Sequence, residues 1–125
     1  MTYFRHDAQN VLWNAIDTPI TVDGYSSEVD FYRDGGVHNC EAVFNVSDVE
    51  TGESIVFTAY SYSYANAAWT ATPYKISVTA SGEYFMLLDK RLASGGKIKF
   101  YADITRSTTT LDGIKVHAHV RPRAL

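Results

Sequence analysis

The last third of the chain alternates apolar and polar residues almost without interruption. Ile98, Phe100, Ala102 and Ile104 fall on one parity, and Lys97, Lys99, Tyr101 and Asp103 on the other. The pattern returns with Ile114, Val116, Ala118 and Val120 set against Lys115, His117, His119 and Arg121. Successive side chains of a strand point to opposite faces, so each segment predicts a strand with one face in a core and the other in water. A helix would scatter the same residues around its circumference. This pattern commits the chain to a layered β structure.

Earlier segments carry the same signature. Over Glu41–Ser47, Ala42, Phe44 and Val46 share one parity and Val43 takes the other. Over Ser54–Tyr64, Ile55, Phe57 and Ala59 oppose Val56, Thr58, Tyr60, Tyr62 and Tyr64. Thr51–Gly52 supplies turn residues between these two segments. Residues 65–73 break the pattern, with Pro73 at their end. Strands then follow at Tyr74–Thr79 and Tyr84–Leu88, separated by a turn at Ser81–Gly82. Gly95–Gly96 marks a further turn, and Asp112–Gly113 is a hairpin signal.

The first forty residues read differently. Ala8–Ile16 fits a short helical turn, and Pro19, Gly24 and Gly35–Gly36 interrupt regular elements. Short strands are expected near Ile20–Val22 and Val29–Tyr32. The chain thus divides into an N-terminal arm over residues 1–36 and a β-sandwich over 37–125, within one domain. The expected fold is an all-β, jelly-roll-like sandwich with an extended N-terminal arm.

Composition narrows the function. A net charge of -3 supplies no basic stripe for nucleic acid and no attraction to an acidic membrane. No apolar run approaches the roughly 18–20 residues that span a bilayer. The opening MTYFRHDAQN lacks the apolar core of a signal peptide, and the single Cys40 cannot form an internal disulfide. Folding in a cytoplasm is expected.

Candidate chemistry is sparse. His117 and His119 form an H-x-H on one strand face, but two imidazoles do not complete a metal site. Cys40 lies near His38 and Glu41, yet neighbouring strand positions point to opposite faces, so this spacing builds no triad. The carboxylates are scattered, several of them in turns where Asp has a local hydrogen-bonding role. No phosphate-binding glycine loop is present. The expectation is a non-enzymatic protein with no catalytic residues, no metal and no cofactor.

Nine tyrosines, six phenylalanines and two tryptophans are the remaining signal. Period-two spacing places Tyr60, Tyr62 and Tyr64 on one strand face, with Trp69 close in sequence. Such a strip stacks on sugar rings, packs against another subunit, or packs within the fold.

The order of segments carries a resemblance. An arm with Asp7-Ala8-Gln9 precedes FNVSDVETGESIVFTAYSYS, then YKISVTASGEYFMLLDKRLASGGKIKFYADIT, and finally GIKVHAHVRP. Across residues 7–122 this resembles the capsid cement, or decoration, proteins of tailed bacteriophages, the small jelly-roll type similar to Bordetella-phage cement proteins. The resemblance implies a virion structural protein on the capsid surface, made in the host cytoplasm. It would bind and stabilise the major capsid protein shell as a homotrimer, without nucleic acid or membrane. Tyr3, Phe4, Arg5 and Trp13 would then anchor the arm on the shell, and Tyr60, Tyr62, Tyr64 and Trp69 would serve subunit contacts. The alternatives are a carbohydrate-binding jelly-roll module and a tail or head-completion protein.

Overall fold

Both alternating segments of the last third are central strands, one in each of two packed antiparallel sheets. The computed structural model describes residues 11–30, 40–63, 65–88, 97–106 and 113–122. Among these residues there is no helix. The strands are β1 (Val11–Ile20), β2 (Gly24–Tyr25), β3 (Val29–Asp30), β4 (Cys40–Ser47), β5 (Ser54–Ser63), β6 (Ala68–Val78), β7 (Gly82–Leu88), β8 (Lys97–Thr105) and β9 (Ile114–Pro122).

The first sheet has the order β1-β9-β4-β7, and the second β2-β8-β5-β6 with β3 also paired to β8. Strands β2 and β3 act as one interrupted edge strand. Gly24 and Tyr25 face Ala102 and Tyr101, whereas Val29 and Asp30 face Ile98 and Lys97, a register offset of one residue. Ser26 fills the break: its N–H donates to the Phe100 carbonyl at 2.8 Å, and its Oγ accepts from the Phe100 N–H at 2.9 Å. A hydroxyl thus stands in for a ladder carbonyl, as at a β-bulge. With β2 and β3 counted together, each sheet holds four strands drawn from the beginning, middle and end of the chain. Only β5 and β6 form a hairpin; the other connections among these eight strands pass between sheets. That is the strand order of a jelly roll.

The core lies between the sheets and follows the parity read from the sequence. Ile98, Phe100 and Ala102 of β8 face Ala42, Phe44 and Val46 of β4 and the inward row of β9, all buried. An aromatic cluster bridges the layers. The Phe44 ring stacks on Phe57 at 4.5 Å and meets Phe100 edge-on at 5.1 Å, and Trp13 lies 5.2 Å from Phe57. At one end Arg106 Nε donates to the buried Glu53 carboxylate at 2.8 Å, tying the turn after β4 to the end of β8.

Four sequence expectations change. First, the described part of the arm is sandwich. Residues 11–16 are extended in β1 rather than helical, and Leu12 and Val29 are core residues, so the division at residue 36 does not hold for residues 11–30. The helical reading arose because β1 breaks strict alternation: Val11 pairs with His119 but Trp13 with Ala118, a bulge that lets both Leu12 and Trp13 turn inward. Second, β6 begins at Ala68 and runs through Pro73. It is an edge strand, and between the pairs Thr58–Lys75 and Tyr60–Ala71 it accommodates extra residues. The Thr72 hydroxyl donates to the Ala59 carbonyl at 2.8 Å within this bulge. Proline is tolerated where the ladder is already broken.

Third, β8 and β9 do not pair as the hairpin that the Asp112–Gly113 signal predicts, because they belong to different sheets. Gly113 is required for another reason: a Cβ there would lie 2.6 Å from the Ile20 carbonyl oxygen and 2.8 Å from Pro19 Cβ. Fourth, the outer row of β9 is not wholly solvated. His119 sits between Val43 of β4 and Val11 of β1, and both His119 and Val43 are buried.

Candidate interaction face

The outward surface of the second sheet is an aromatic lattice threaded by lysines. Registry builds it row by row. Strand β8 lies between β2 and β5, so its outward Lys97, Lys99, Tyr101 and Asp103 stand beside the outward side chains of β5. Tyr60 faces Lys99, and Thr58 faces Tyr101. On the far side of β5, Tyr62 pairs with Trp69 and Tyr60 with Ala71. On the far side of β8, Tyr25 pairs with Tyr101.

The rings touch across strands. Tyr25 meets Tyr101 at 4.8 Å and Tyr60 at 5.3 Å, both edge-on, and Tyr62 meets Trp69 at 5.2 Å. Edge-to-face pairs at these separations contribute about 0.5–1.5 kcal/mol beyond area burial. The lysines lie over the rings. Lys99 Nζ is 4.2 Å from the Tyr25 centroid and 4.4 Å from that of Trp69, and Lys97 Nζ is 5.1 Å from that of Tyr62. An ammonium over an aromatic face is held by the ring quadrupole. Lys97 also reaches Glu28 at 3.9 Å.

Electrostatics divide the face along its strands. Its far end carries Asp103 and Asp23, and Asp23 Oδ1 accepts the Ile104 N–H at 2.8 Å. The Tyr101 phenol is raised above the ordinary tyrosine value, first by desolvation and then by these two carboxylates. The Tyr25 phenol is raised chiefly by its hydrogen bond with Tyr60.

Three of the sequence candidates, Tyr60, Tyr62 and Trp69, meet on this face. Trp13 does not: it is half-buried on β1 and packs on the core, which its place beside the β1 bulge requires. Tyr64, Tyr3, Phe4 and Arg5 lie outside the described residues, as does His38 of the Cys40 grouping. Sequence reasoning missed Tyr25, Tyr101, Lys97 and Lys99 as members of the site. The outward parity of the β8 residues was readable, but their place beside the tyrosine strip depends on the long-range pairing of β5 with β8.

The other sheet offers a different surface. His117 and His119 lie with ring centroids 5.9 Å apart. Among the described residues, no three His, Cys, Asp or Glu side chains converge to hold a metal ion. On the edge strand β7, Phe85 and Leu87 point outward and are about half exposed, and the Arg121 guanidinium lies 5.6 Å from the Phe85 ring while its Nε donates to Glu41 at 2.6 Å. Comparison with protein-family models finds no match to this chain, and searches of curated proteins and of solved structures find none either.

Proposed function

We propose that this chain is a virion structural protein of the capsid cement type, a jelly roll that decorates a protein shell and makes contacts through the aromatic face of its second sheet. The observation that carries the reading is that face. Five rings and two lysines stand on the outward side of four paired strands, and the lysines lie against the ring faces. Large rings with polar tips on a rigid sheet suit protein–protein contact, where Tyr and Trp dominate binding energy. A sugar would need those same ring faces. With Lys99 over both Tyr25 and Trp69, and Lys97 over Tyr62, a pyranose would have to displace ammonium groups to stack. The geometry therefore favours a protein partner over a glycan.

The resemblance supports the same reading, because the cement family is built on jelly rolls. In this proposal Tyr3, Phe4 and Arg5 anchor the segment before β1 on the major capsid protein. Repeated weak contacts at symmetry-related sites then add through multivalency. Quantitative mass spectrometry of purified particles tests the proposal. A copy number in fixed ratio to the major shell subunit is expected. Presence at only a few copies, or absence from particles, would refute it. A chain lacking residues 1–10 keeps all of β1 and should fold but bind shells more weakly.

A further inference from the structure

Three phenols meet at one point of the aromatic face. The Tyr25 ring centroid lies 4.8 Å from that of Tyr101 and 5.3 Å from that of Tyr60, and Tyr60 lies 6.4 Å from Tyr101. Each ring comes from a different strand. Tyr101 on β8 is the direct cross-strand partner of Tyr25 on β2, and Tyr60 stands one strand further on, on β5. Both contacts of Tyr25 are steeply inclined, at 63° and 83°, so the edge carbons of a ring take part in each. Tyr25 is also open to solvent, 52% exposed, on a strand of two residues. Two other tyrosines are placed differently: Tyr62 meets the Trp69 indole, and Tyr84 Oη donates to the Ala80 carbonyl at 2.6 Å.

We infer that this cluster is a site of oxidative cross-linking, in which Tyr25 becomes joined, carbon to carbon, to Tyr60 or Tyr101 of the same chain. The reagent is a one-electron oxidant such as a haem peroxidase charged with hydrogen peroxide. Each of two phenols gives up one electron and one proton and becomes a neutral phenoxyl radical. The two radicals combine at ring carbons next to the C–O carbon, forming one C–C bond. The hydrogens on those carbons then move to the oxygens and restore both phenols. One peroxide takes up the two electrons and two protons and leaves as two waters, so the chain loses two hydrogen atoms.

The surroundings favour this course. Lys99 Nζ, 4.2 Å from the Tyr25 centroid, opposes a positive charge left on that ring, so loss of the electron is tied to loss of the phenol proton. The Tyr25 hydroxyl is hydrogen-bonded with that of Tyr60, and Asp23 and Asp103 stand near Tyr101, so each has an acceptor for the departing proton. Rings already in contact couple in a unimolecular step, which outruns encounter with a second molecule. Carbons in contact at about 3.5–4 Å must close by about 2 Å to bond. Strand β2 can supply that movement: it pairs with β8 through Gly24 and Tyr25 alone, and a Cβ at Gly24 would meet nothing within 4 Å. The new bond ties this short edge segment into the sheet and closes a loop of about 35 or 75 residues, which restricts the unfolded chain. None of this requires the face to meet another protein.

Treatment of the dilute full chain with a haem peroxidase and limiting hydrogen peroxide tests this. The expected product is a single chain with dityrosine fluorescence, lighter by two hydrogen atoms. Peptide mass spectrometry should find the Tyr25 peptide joined to that of Tyr60 or Tyr101. The urea midpoint of this product should lie above that of the untreated chain. Tyr25→Phe, and separately the double variant Tyr60→Phe/Tyr101→Phe, should lower the dityrosine signal of the single chain about tenfold or more while keeping the wild-type circular dichroism. Tyr74→Phe, on β6, should leave that signal unchanged. Products joined only between chains, a link that omits Tyr25, or an undiminished signal in Tyr25→Phe would overturn the inference.

Discussion

Phe44 is the side chain on which the two-layer account is most exposed to test. It lies on β4, fully buried, with its ring 4.5 Å from Phe57 and 5.1 Å from Phe100, both on the opposite sheet. Replacing it with alanine removes a core ring and the two inter-sheet ring pairs. Core Phe→Ala changes cost about 3–5 kcal/mol, and each lost ring pair adds about 0.5–1.5 kcal/mol if not already counted in that range. A loss of about 4–5 kcal/mol follows, set against a total stability of about 5–15 kcal/mol for a domain of this size. At about 4 °C per kcal/mol the melting temperature should fall by roughly 15–20 °C. Phe85 supplies the internal control. It sits on the adjacent strand β7, directly beside Val43, but points outward and is 48% exposed. Phe85→Ala should change stability by less than about 1 kcal/mol. Urea unfolding followed by tryptophan fluorescence and circular dichroism measures both variants, with the slope unchanged if unfolding remains two-state. If Phe85→Ala costs as much as Phe44→Ala, or Phe44→Ala costs under about 1.5 kcal/mol, the inward and outward faces of the first sheet have been assigned wrongly.

Two further outcomes test local features. Gly113→Ala should cost about 1–3 kcal/mol, because the new methyl would press on the backbone of Pro19 and Ile20 rather than on a side chain that can move aside; an unchanged urea midpoint would show that this approach is not as tight as described. The raised phenols of Tyr25 and Tyr101 bind their protons more firmly in the fold than in the unfolded chain. The stability they contribute is therefore fully present below about pH 10 and is lost as pH rises through their folded values. Thermal melts between about pH 9 and 11 should show this decline, and the Tyr25→Phe/Tyr101→Phe variant should flatten it; an identical slope in that variant would contradict the assignment.

Much of the fold was legible because strict alternation over β5, β8 and β9 leaves little freedom in which side chains face the core. Alternation failed where the backbone carries extra residues. The bulge beside Leu12 turned two consecutive side chains inward and made the start of β1 look helical. Pro73 concealed the first half of β6, since an edge strand tolerates a residue that a central strand would not. Asp112–Gly113 has hairpin chemistry, but its glycine answers a steric need between β9 and the end of β1. The candidate face divides in the same way. Tyr60, Tyr62 and Trp69 are brought together by one hairpin and could be grouped from local spacing. Tyr25 and the two lysines reach them only through β8, which pairs with segments about 40 and 75 residues earlier in the chain. Local periodicity holds no record of such pairings. The charge gradient along the face was likewise hidden, because it appears only once Asp23 is brought beside Asp103.

The central claim is that the outward face of the second sheet is where this protein meets other protein. Hydroxyl-radical footprinting of particle-bound chain against dilute free chain, read by peptide mass spectrometry, tests it directly. Oxidation of Tyr25, Tyr60 and Trp69 should fall on assembly while that of Phe85, on the other sheet, stays constant. Equal oxidation of those rings in both states, or protection confined to Phe85 and Leu87, would contradict the account.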